Sequence, residues 1–461
     1  MNRSFLPFLF PVLVFSVFLS CASGNREGTR TQNNFKPGEV QKKVLYEADS
    51  LSSYALYIPL NYNPDKSCPL LICFDPHAEG LLPVNLFREQ CDKYGFIVAG
   101  SNNSKNGMTM EETTEIYRKI RSDLESRFKI DVTSVYLAGF SGGSRVAGAA
   151  AITEGNVAGV IGCGAGLPNV NKQPVKAFSY LGVAGLQDFN YNDLKQVDES
   201  LEKAGYTHHL LLFDGKHEWP LKEVVPDIFT WLNFDRMRTK SIPTDRAAIN
   251  TFIDVNYTRS EEAGKKGDFL NQLSILEMLR DYLSGLTDVS PLETEISKLN
   301  LDPKVKQQKD KLAILFDRER TLQSDYASKL QSESPKWWEK TAENLSSLSD
   351  KQPVTDESRM YKRLLGFLSL NTYMLCNSAL KQSDLNTASR FIELYRLVDP
   401  TNAEHRYMAA TVSMKQGKKD EALKELGDAF QLGFKDIQRL TNDPVFTALH
   451  QDKTFMKLLN K

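Results

Sequence analysis

The sequence predicts an α/β fold, a mostly parallel sheet with helices on both faces, followed by an all-helical region. Three observations predict it. Short apolar runs alternate with amphipathic segments as far as about residue 238, the pattern of repeated βα units. From Ile242 onward the strand signals stop, and Leu, Lys, Glu, Gln and Ser dominate. Between Val135 and Arg145 the chain reads as a buried strand, a tight turn carrying Ser141 and the start of a helix.

Taken in order, Ser53–Pro59 alternates like an antiparallel edge strand, and Asn61–Lys66 has the composition of a turn. Pro69–Phe74 is apolar throughout and reads as a buried central strand. A loop, Asp75–Gly80, leads to a helix over Leu86–Lys93 and a second buried strand at Phe96–Gly100. Thr109 and Glu112 form a capping box, and Ile116, Ile120, Leu124 and Phe128 line one face of the helix it starts. Beyond the serine turn, Val146–Ile152 is rich in small residues, suited to a helix packed closely on a sheet.

Strands follow at Val157–Cys163, Ala177–Ala184 and His208–Phe213, with a helix carrying Leu194, Val197 and Leu201 between the last two. A final helix holds Val224, Val225, Ile228, Phe229 and Leu232, with Pro226 starting or kinking it. A domain boundary is expected near Thr239–Pro243. A helical region is expected over 239–370 and paired helical repeats over 371–461. Ala388 and Ala422 are 34 residues apart, each about twelve residues short of the end of a helix pair. That period is similar to tetratricopeptide repeats; a generic antiparallel bundle is the other reading. Trp337-Trp338 reads as packing between helices, with a ligand platform as the alternative.

At 461 residues, with a domain of about 150 as the usual size, two or three units are expected. The 57 basic and 58 acidic residues leave a net charge of -1. That balance gives no overall field to attract nucleic acid or an anionic membrane, so nucleic acid is not expected as a partner, and a membrane is expected only through a lipid anchor. At the start, Arg3 precedes an uncharged apolar run, Phe5–Leu19, too short to span a bilayer and typical of an export signal. Its end, Phe18-Leu-Ser-Cys21, resembles the lipobox of bacterial lipoproteins, which implies acylation of Cys21. Cleavage after Ala22 or Ser23 by the ordinary secretory peptidase is the alternative, because Phe18 replaces the usual aliphatic residue. Residues 1–21 are thus expected to be a lipoprotein signal peptide and 22–43 a polar tether, placing the protein in a bacterial cell envelope, periplasmic or surface-facing. The remaining five cysteines show no disulfide or metal spacing.

The chemistry is expected around Ser141. Gly139, Ser141 and Gly143 give G-x-S-x-G, which lifts a serine hydroxyl above the sheet at a strand-to-helix corner. A serine hydroxyl is a weak nucleophile and needs a base within reach and a third group to orient that base. Downstream, one strand runs into Leu186-Gln-Asp188 and another into Asp214-Gly-Lys-His217. Ser, Asp and His thus occur in that order, each just after a strand. Asp193 competes with Asp188 but reads as a helix cap, and His208 and His209 read as strand residues.

With these three turns, residues 44–238 resemble an alpha/beta-hydrolase, nearest the secreted esterase, polyhydroxybutyrate depolymerase and dienelactone hydrolase group. The resemblance implies Ser141 as nucleophile, His217 as general base and then acid, and Asp188 as the group that orients the imidazole. It implies oxyanion donors at the backbone of Gly142 and in the Asp75–Gly80 loop. Ala78 is the nominated second donor, with His77 shaping the loop, although Ala78 stands where the family commonly has glycine. No cofactor or metal is expected. The short connections predict an open site suited to an accessible ester, soluble or borne on a polysaccharide. Ser101–Gly107 either faces that site with its amides and hydroxyls or is a surface loop. The expected activity is a carboxylesterase-type serine hydrolase, with the helical half docking a protein partner or positioning the catalytic domain. The alternatives are a serine peptidase of the same fold, and a catalytically silent interaction lipoprotein.

Overall fold

The computed structural model describes residues 35–47, 49, 51–168 and 174–459. The signal peptide, Cys21 and most of the tether lie outside the described residues.

One eight-stranded sheet organises the first half. Its strands are β1 (Val40–Leu45), β2 (Ser53–Tyr57), β3 (Cys68–Phe74), β4 (Ile97–Ser101), β5 (Ile130–Phe140), β6 (Gly159–Cys163), β7 (Ser179–Gly185) and β8 (His208–Phe213). They lie in the order β1-β2-β4-β3-β5-β6-β7-β8. The first two pairings are antiparallel and the rest parallel. All seven residues of β3 are buried, because helices cover both faces. Leu71 and Cys73 face one core, while Leu70, Ile72 and Phe74 face the other.

The helices of this half are α1 (Leu81–Tyr94), α2 (Met110–Arg127), α3 (Gly142–Glu154), α4 (Tyr191–Lys203) and α5 (Val225–Arg238). α1 and α5 cover the first core; α2, α3 and α4 cover the second. The capping box of Thr109 and Glu112 starts α2. Pro226 lies in the first turn of α5, where a missing N–H costs nothing, so it begins that helix and does not kink it. From β3 the chain winds outward to β4, then returns to place β5 on β3's other side. The carboxyl ends of β3 and β5 therefore flank a crevice where the winding reverses, the usual site for ligands in such sheets.

Several expectations need correction. The tether does not run to residue 43: Val40–Leu45 is itself the edge strand, and β2 is interior, with all five residues buried. Val40-Gln-Lys-Lys reads as tether because an edge strand carries charge outward, which also blocks unwanted strand pairing. α1 begins at Leu81, five residues earlier than expected.

Thr239–Pro243 is a connection and not a break in packing. Beyond it come α6 (Arg246–Lys265), α7 (Phe269–Leu283) and α8 (Ser290–Leu301), and α7 joins the first core. Tyr282 meets Trp231 of α5 at 5.0 Å between ring centroids, and Asp281 accepts from His209 Nδ1 at 2.8 Å. His208 and His209 are both buried strand residues.

α9 (Pro303–Ser332) is a 30-residue strut, about 45 Å long at 1.5 Å per residue. Val305 near its start belongs to the first core, and Leu330 near its end to a separate helical core. That core is built by α10 (Pro335–Ser349), α11 (Asp356–Lys381) and α12 (Leu385–Val398), continuing into α13 (Glu404–Lys415) and α14 (Lys419–Gln431). Trp338 is fully buried there, edge-on to Trp337. Ala388 and Ala422 are both buried fourth residues, of α12 and α14 respectively. A boundary at 370/371 would cut through the middle of α11.

Candidate active site

Ser141 sits between β5 and α3 with φ 52° and ψ −117°, a left-handed backbone that a side chain rarely adopts. The surroundings enforce it: Ser141 N–H donates to the Cys163 carbonyl at 2.8 Å. A Cβ on Gly139 would collide with the Gly143 carbonyl, and one on Gly143 with that of Phe74, so the corner closes only with glycine at both places.

His217 Nε2 lies 3.0 Å from Ser141 Oγ, and His217 Nδ1 lies 2.9 and 3.0 Å from the two Asp188 oxygens. Asp188 is fully buried, and its carboxylate also accepts from Asn190 N–H at 2.8 Å. The imidazole is held between two rings, Phe140 at 4.7 Å and Phe189 at 4.2 Å. Because Nδ1–H donates to Asp188, Nε2 is left as the acceptor for the serine proton. Asp193 is no cap: the N-cap of α4 is Asn190, and Asp193 accepts from Gly166 N–H at 3.2 Å and from Arg145 at 3.5 Å.

Gly142 is the first residue of α3, where N–H groups lack intrahelical partners and the helix dipole favours negative charge. Ala78 adopts the left-handed conformation, φ 62°, that glycine takes more cheaply. Its N–H, however, donates to the Asp75 carbonyl at 3.2 Å, so the nominated donor is already engaged within its own turn. His77 is exposed, and its N–H donates to Asp75 Oδ1 at 2.8 Å. The Asp75 carboxylate is the hub of this loop: it is 2% exposed, and its other oxygen accepts from Trp219 Nε1 at 2.8 Å. It thereby ties the loop after β3 to the loop carrying His217. Of the Ser101–Gly107 segment, Asn102, Asn103, Lys105 and Asn106 line the cleft, and Asn106 reaches Gly142. Its N–H donates to the Pro76 carbonyl at 2.9 Å, and its carboxamide lies over Gly142 with Oδ1 nearest, where a Cβ would collide with it.

The site opens to solvent as expected but has a second wall that the sequence did not suggest. The triad lies in a cleft of about 1810 Å³ whose other wall is helical, with Tyr373 of α11, Asp399 after α12 and Arg439 of α15 (Ile437–Asn442) among its lining residues. Asp436 lines the same cleft as Pro76, His77 and Ala78; burial, with Asp75 adding to it, raises the Glu79 carboxyl above its usual range. The wall escapes a sequence reading because it arrives from residues beyond 345, with no insertion between the catalytic strands. Sequence reasoning also missed Phe140, Phe189 and the hub role of Asp75. Asp75 carried a signal, a carboxylate immediately after a wholly apolar strand.

The described residues contain no group of three or more His, Cys, Asp or Glu arranged to hold a metal ion. All five described cysteines are buried and unpaired. No described helix is long and apolar enough to cross a membrane.

No family model matches the sequence, and no curated protein does. Among solved structures, S-formylglutathione hydrolase from Staphylococcus aureus is 13% identical, over 43% of this chain and 98% of its own, with a TM-score of 0.36. Fluorophosphonate-binding serine hydrolase F of the same organism is 12% identical over 43% and 99%, with a TM-score of 0.36. Thermogutta terrifontis esterase 2, in a form phosphonylated by sarin, is 11% identical over 45% and 98%, also at 0.36. Likeness of this degree says nothing about substrate.

Proposed function

We propose that the chain is a serine hydrolase that cleaves carboxylic esters carried on large polar molecules. The observation that carries this reading is the unbroken relay from Ser141 Oγ through His217 to buried Asp188, with 3.0 and 2.9 Å links. Ser141 Oγ attacks the ester carbonyl while His217 Nε2 takes its proton, and Asp188 steadies the imidazolium that forms. The Gly142 N–H meets the developing oxyanion at the start of α3. The Asn106 carboxamide, whose Oδ1 stands nearest Gly142, would serve as the second donor, in place of Ala78, once a half-turn of the amide brings Nδ2 to that place. His217 then hands the proton to the departing alcohol, leaving an acyl group on Ser141 Oγ, and a water activated by the same imidazole releases the acid.

A cleft of about 1810 Å³, lined by asparagines, lysines, carboxylates and tyrosines, suits a bulky polar substrate better than a free short ester or a lipid chain. In this reading the helical half is the second wall of the substrate cleft. The helix pairs bearing Ala388 and Ala422 are proposed as a degenerate, tetratricopeptide-like array. Export, with anchoring through Cys21, is proposed from the sequence alone.

The test is hydrolysis of p-nitrophenyl acetate and labelling by a fluorophosphonate, using the protein without residues 1–21 and its Ser141→Ala variant. Turnover and labelling that vanish in Ser141→Ala support the reading. A folded wild-type protein that neither turns over nor labels sinks it and favours the catalytically silent alternative. Matched ester and amide substrates separate esterase from peptidase.

A further inference from the structure

Asp188 reaches His217 from a turn, Gly185–Asp188, whose own fastening is unusual. Its N–H groups are tied to the sheet end and the histidine loop: Leu186 N–H to Phe213 O at 2.8 Å, Gln187 N–H to Gly215 O at 2.9 Å, and Asp188 N–H to Gly185 O at 3.0 Å. The Leu186 carbonyl is fastened from the helical half. It accepts from Arg363 Nη1 of α11 at 2.7 Å, a contact spanning 177 positions of sequence.

Arg363 is 4% exposed, and Glu319 of α9 is fully buried. The guanidinium forks onto Glu319, with Nε 3.0 Å from both oxygens and Nη2 2.6 Å from Oε2, and lies 5.2 Å from the ring centre of Tyr191. An apolar pair of similar volume is often as stable as a buried ion pair, or more so, so stability alone is a weak account of it. What an apolar pair could not do is hold the Leu186 carbonyl.

The neighbouring turns of α11 grip the same region. Arg359 lies 3.5 Å from Asp214, which accepts from Gln187 Nε2 at 3.2 Å. Gly366 leaves room for Phe189, whose ring covers His217; a Cβ there would stand 3.0 Å from that ring. Positions 359, 363 and 366 lie on one helical face.

We propose that Arg363, oriented by Glu319, is a positioning residue for catalysis: it fixes the acid turn so that Asp188 stays within hydrogen-bond distance of His217. This rests on the serine hydrolase reading. Arg363 touches neither substrate nor the reacting atoms and acts only through the turn.

The test is the double variant Arg363→Met/Glu319→Leu, which leaves no buried charge unpaired, with its fold checked by circular dichroism. With p-nitrophenyl acetate, kcat is expected to fall about 10- to 100-fold, the cost of misplacing a catalytic group by an ångström or less, with KM little changed. In an Asp188→Asn background the same double change is expected to alter kcat less than about twofold, because the residue it acts through is already disabled. Arg363→Lys, which keeps the charge but loses the fork, is expected to restore part of kcat relative to the double variant.

A double variant with wild-type kcat overturns the proposal. So does an equal loss in the Asp188→Asn background, which would mark a merely structural role. A second readout is independent of turnover: the downfield proton resonance of His217 Nδ1–H reports the bond to Asp188 directly. If the wild type hydrolyses nothing, the functional reading fails on its own. The catalytic role falls with it, and the geometric part, that Arg363 holds Asp188 on His217, stands if that resonance is lost in the double variant and falls if it is retained.

Discussion

Replacing Asp75 with alanine removes the carboxylate that joins the loop after β3 to the histidine loop. Two bonds are strong by their lengths, Trp219 Nε1 to Oδ2 at 2.8 Å and His77 N to Oδ1 at 2.8 Å; the third, from Glu79 N–H at 3.4 Å, is too long to count for much. Hydrogen bonds to a charged group contribute about 1.5–3 kcal/mol each, and freeing a buried carboxylate from its desolvation returns part of that, so Asp75→Ala is expected to cost about 2–4 kcal/mol. Asp75→Asn keeps one acceptor oxygen, which serves either Trp219 or the His77 N–H, and turns its NH₂ on the other donor. Its expected cost is about 1–2 kcal/mol, between wild type and alanine. Urea unfolding followed by near-ultraviolet circular dichroism gives the stabilities, and the rate of fluorophosphonate labelling reports whether His217 has shifted with Trp219. Both variants should label more slowly, alanine the more so. If asparagine and alanine behave alike, and both stay within about 0.5 kcal/mol of wild type with normal labelling, the carboxylate does not couple the two loops.

Three further outcomes are expected. Asn106→Ala should lower kcat about a hundredfold or more with KM little altered, as loss of one oxyanion donor does; an unchanged kcat returns the role to the loop of Ala78. Ala78→Gly should raise the urea midpoint, since relief of about 1–2 kcal/mol of left-handed strain exceeds the roughly 0.4–1 kcal/mol of added chain entropy; a fall in the midpoint refutes this. His405 is 1% exposed and held below its usual imidazole range, first by burial and then by Arg406 and Arg396, against a bond to the Pro400 carbonyl. The folded state therefore binds its proton less readily than the unfolded chain. Its contribution is whole above about pH 6.5 and is lost as pH falls through the lowered value. His405→Gln should flatten the decline of thermal stability between about pH 7.5 and pH 5, and an identical decline in the variant contradicts the assignment.

The sheet was legible because its signals are local. Apolar runs such as Leu70–Phe74 are buried on both faces, and Gly139 beside Ser141 is demanded by a backbone contact with Gly143, four residues on. Asp188 and His217 were legible for a similar reason: each follows directly from a recognisable strand. What could not be read depends on contacts between distant segments. Arg363 looks like any charged residue on an amphipathic helix until Glu319 and Leu186 are beside it. Ala78 looks like a backbone donor until its N–H is found turned onto Asp75. The helical wall leaves no trace among the strands that carry Ser141, Asp188 and His217, so short connections gave no sign of the second side that the far end of the chain adds to the cleft.

The bond from Arg363 to Leu186 also orders events during synthesis. A ribosome that has released β8 and α5 has delivered every strand of the sheet and all three of Ser141, Asp188 and His217, yet α11 is still more than a hundred residues away. Contacts of such separation close late, after the local ones have formed. A nascent or truncated chain ending near Arg238 would thus present a complete sheet with the Leu186 carbonyl unclaimed, and under the proposed reading its full rate would come only with the last third of the polypeptide.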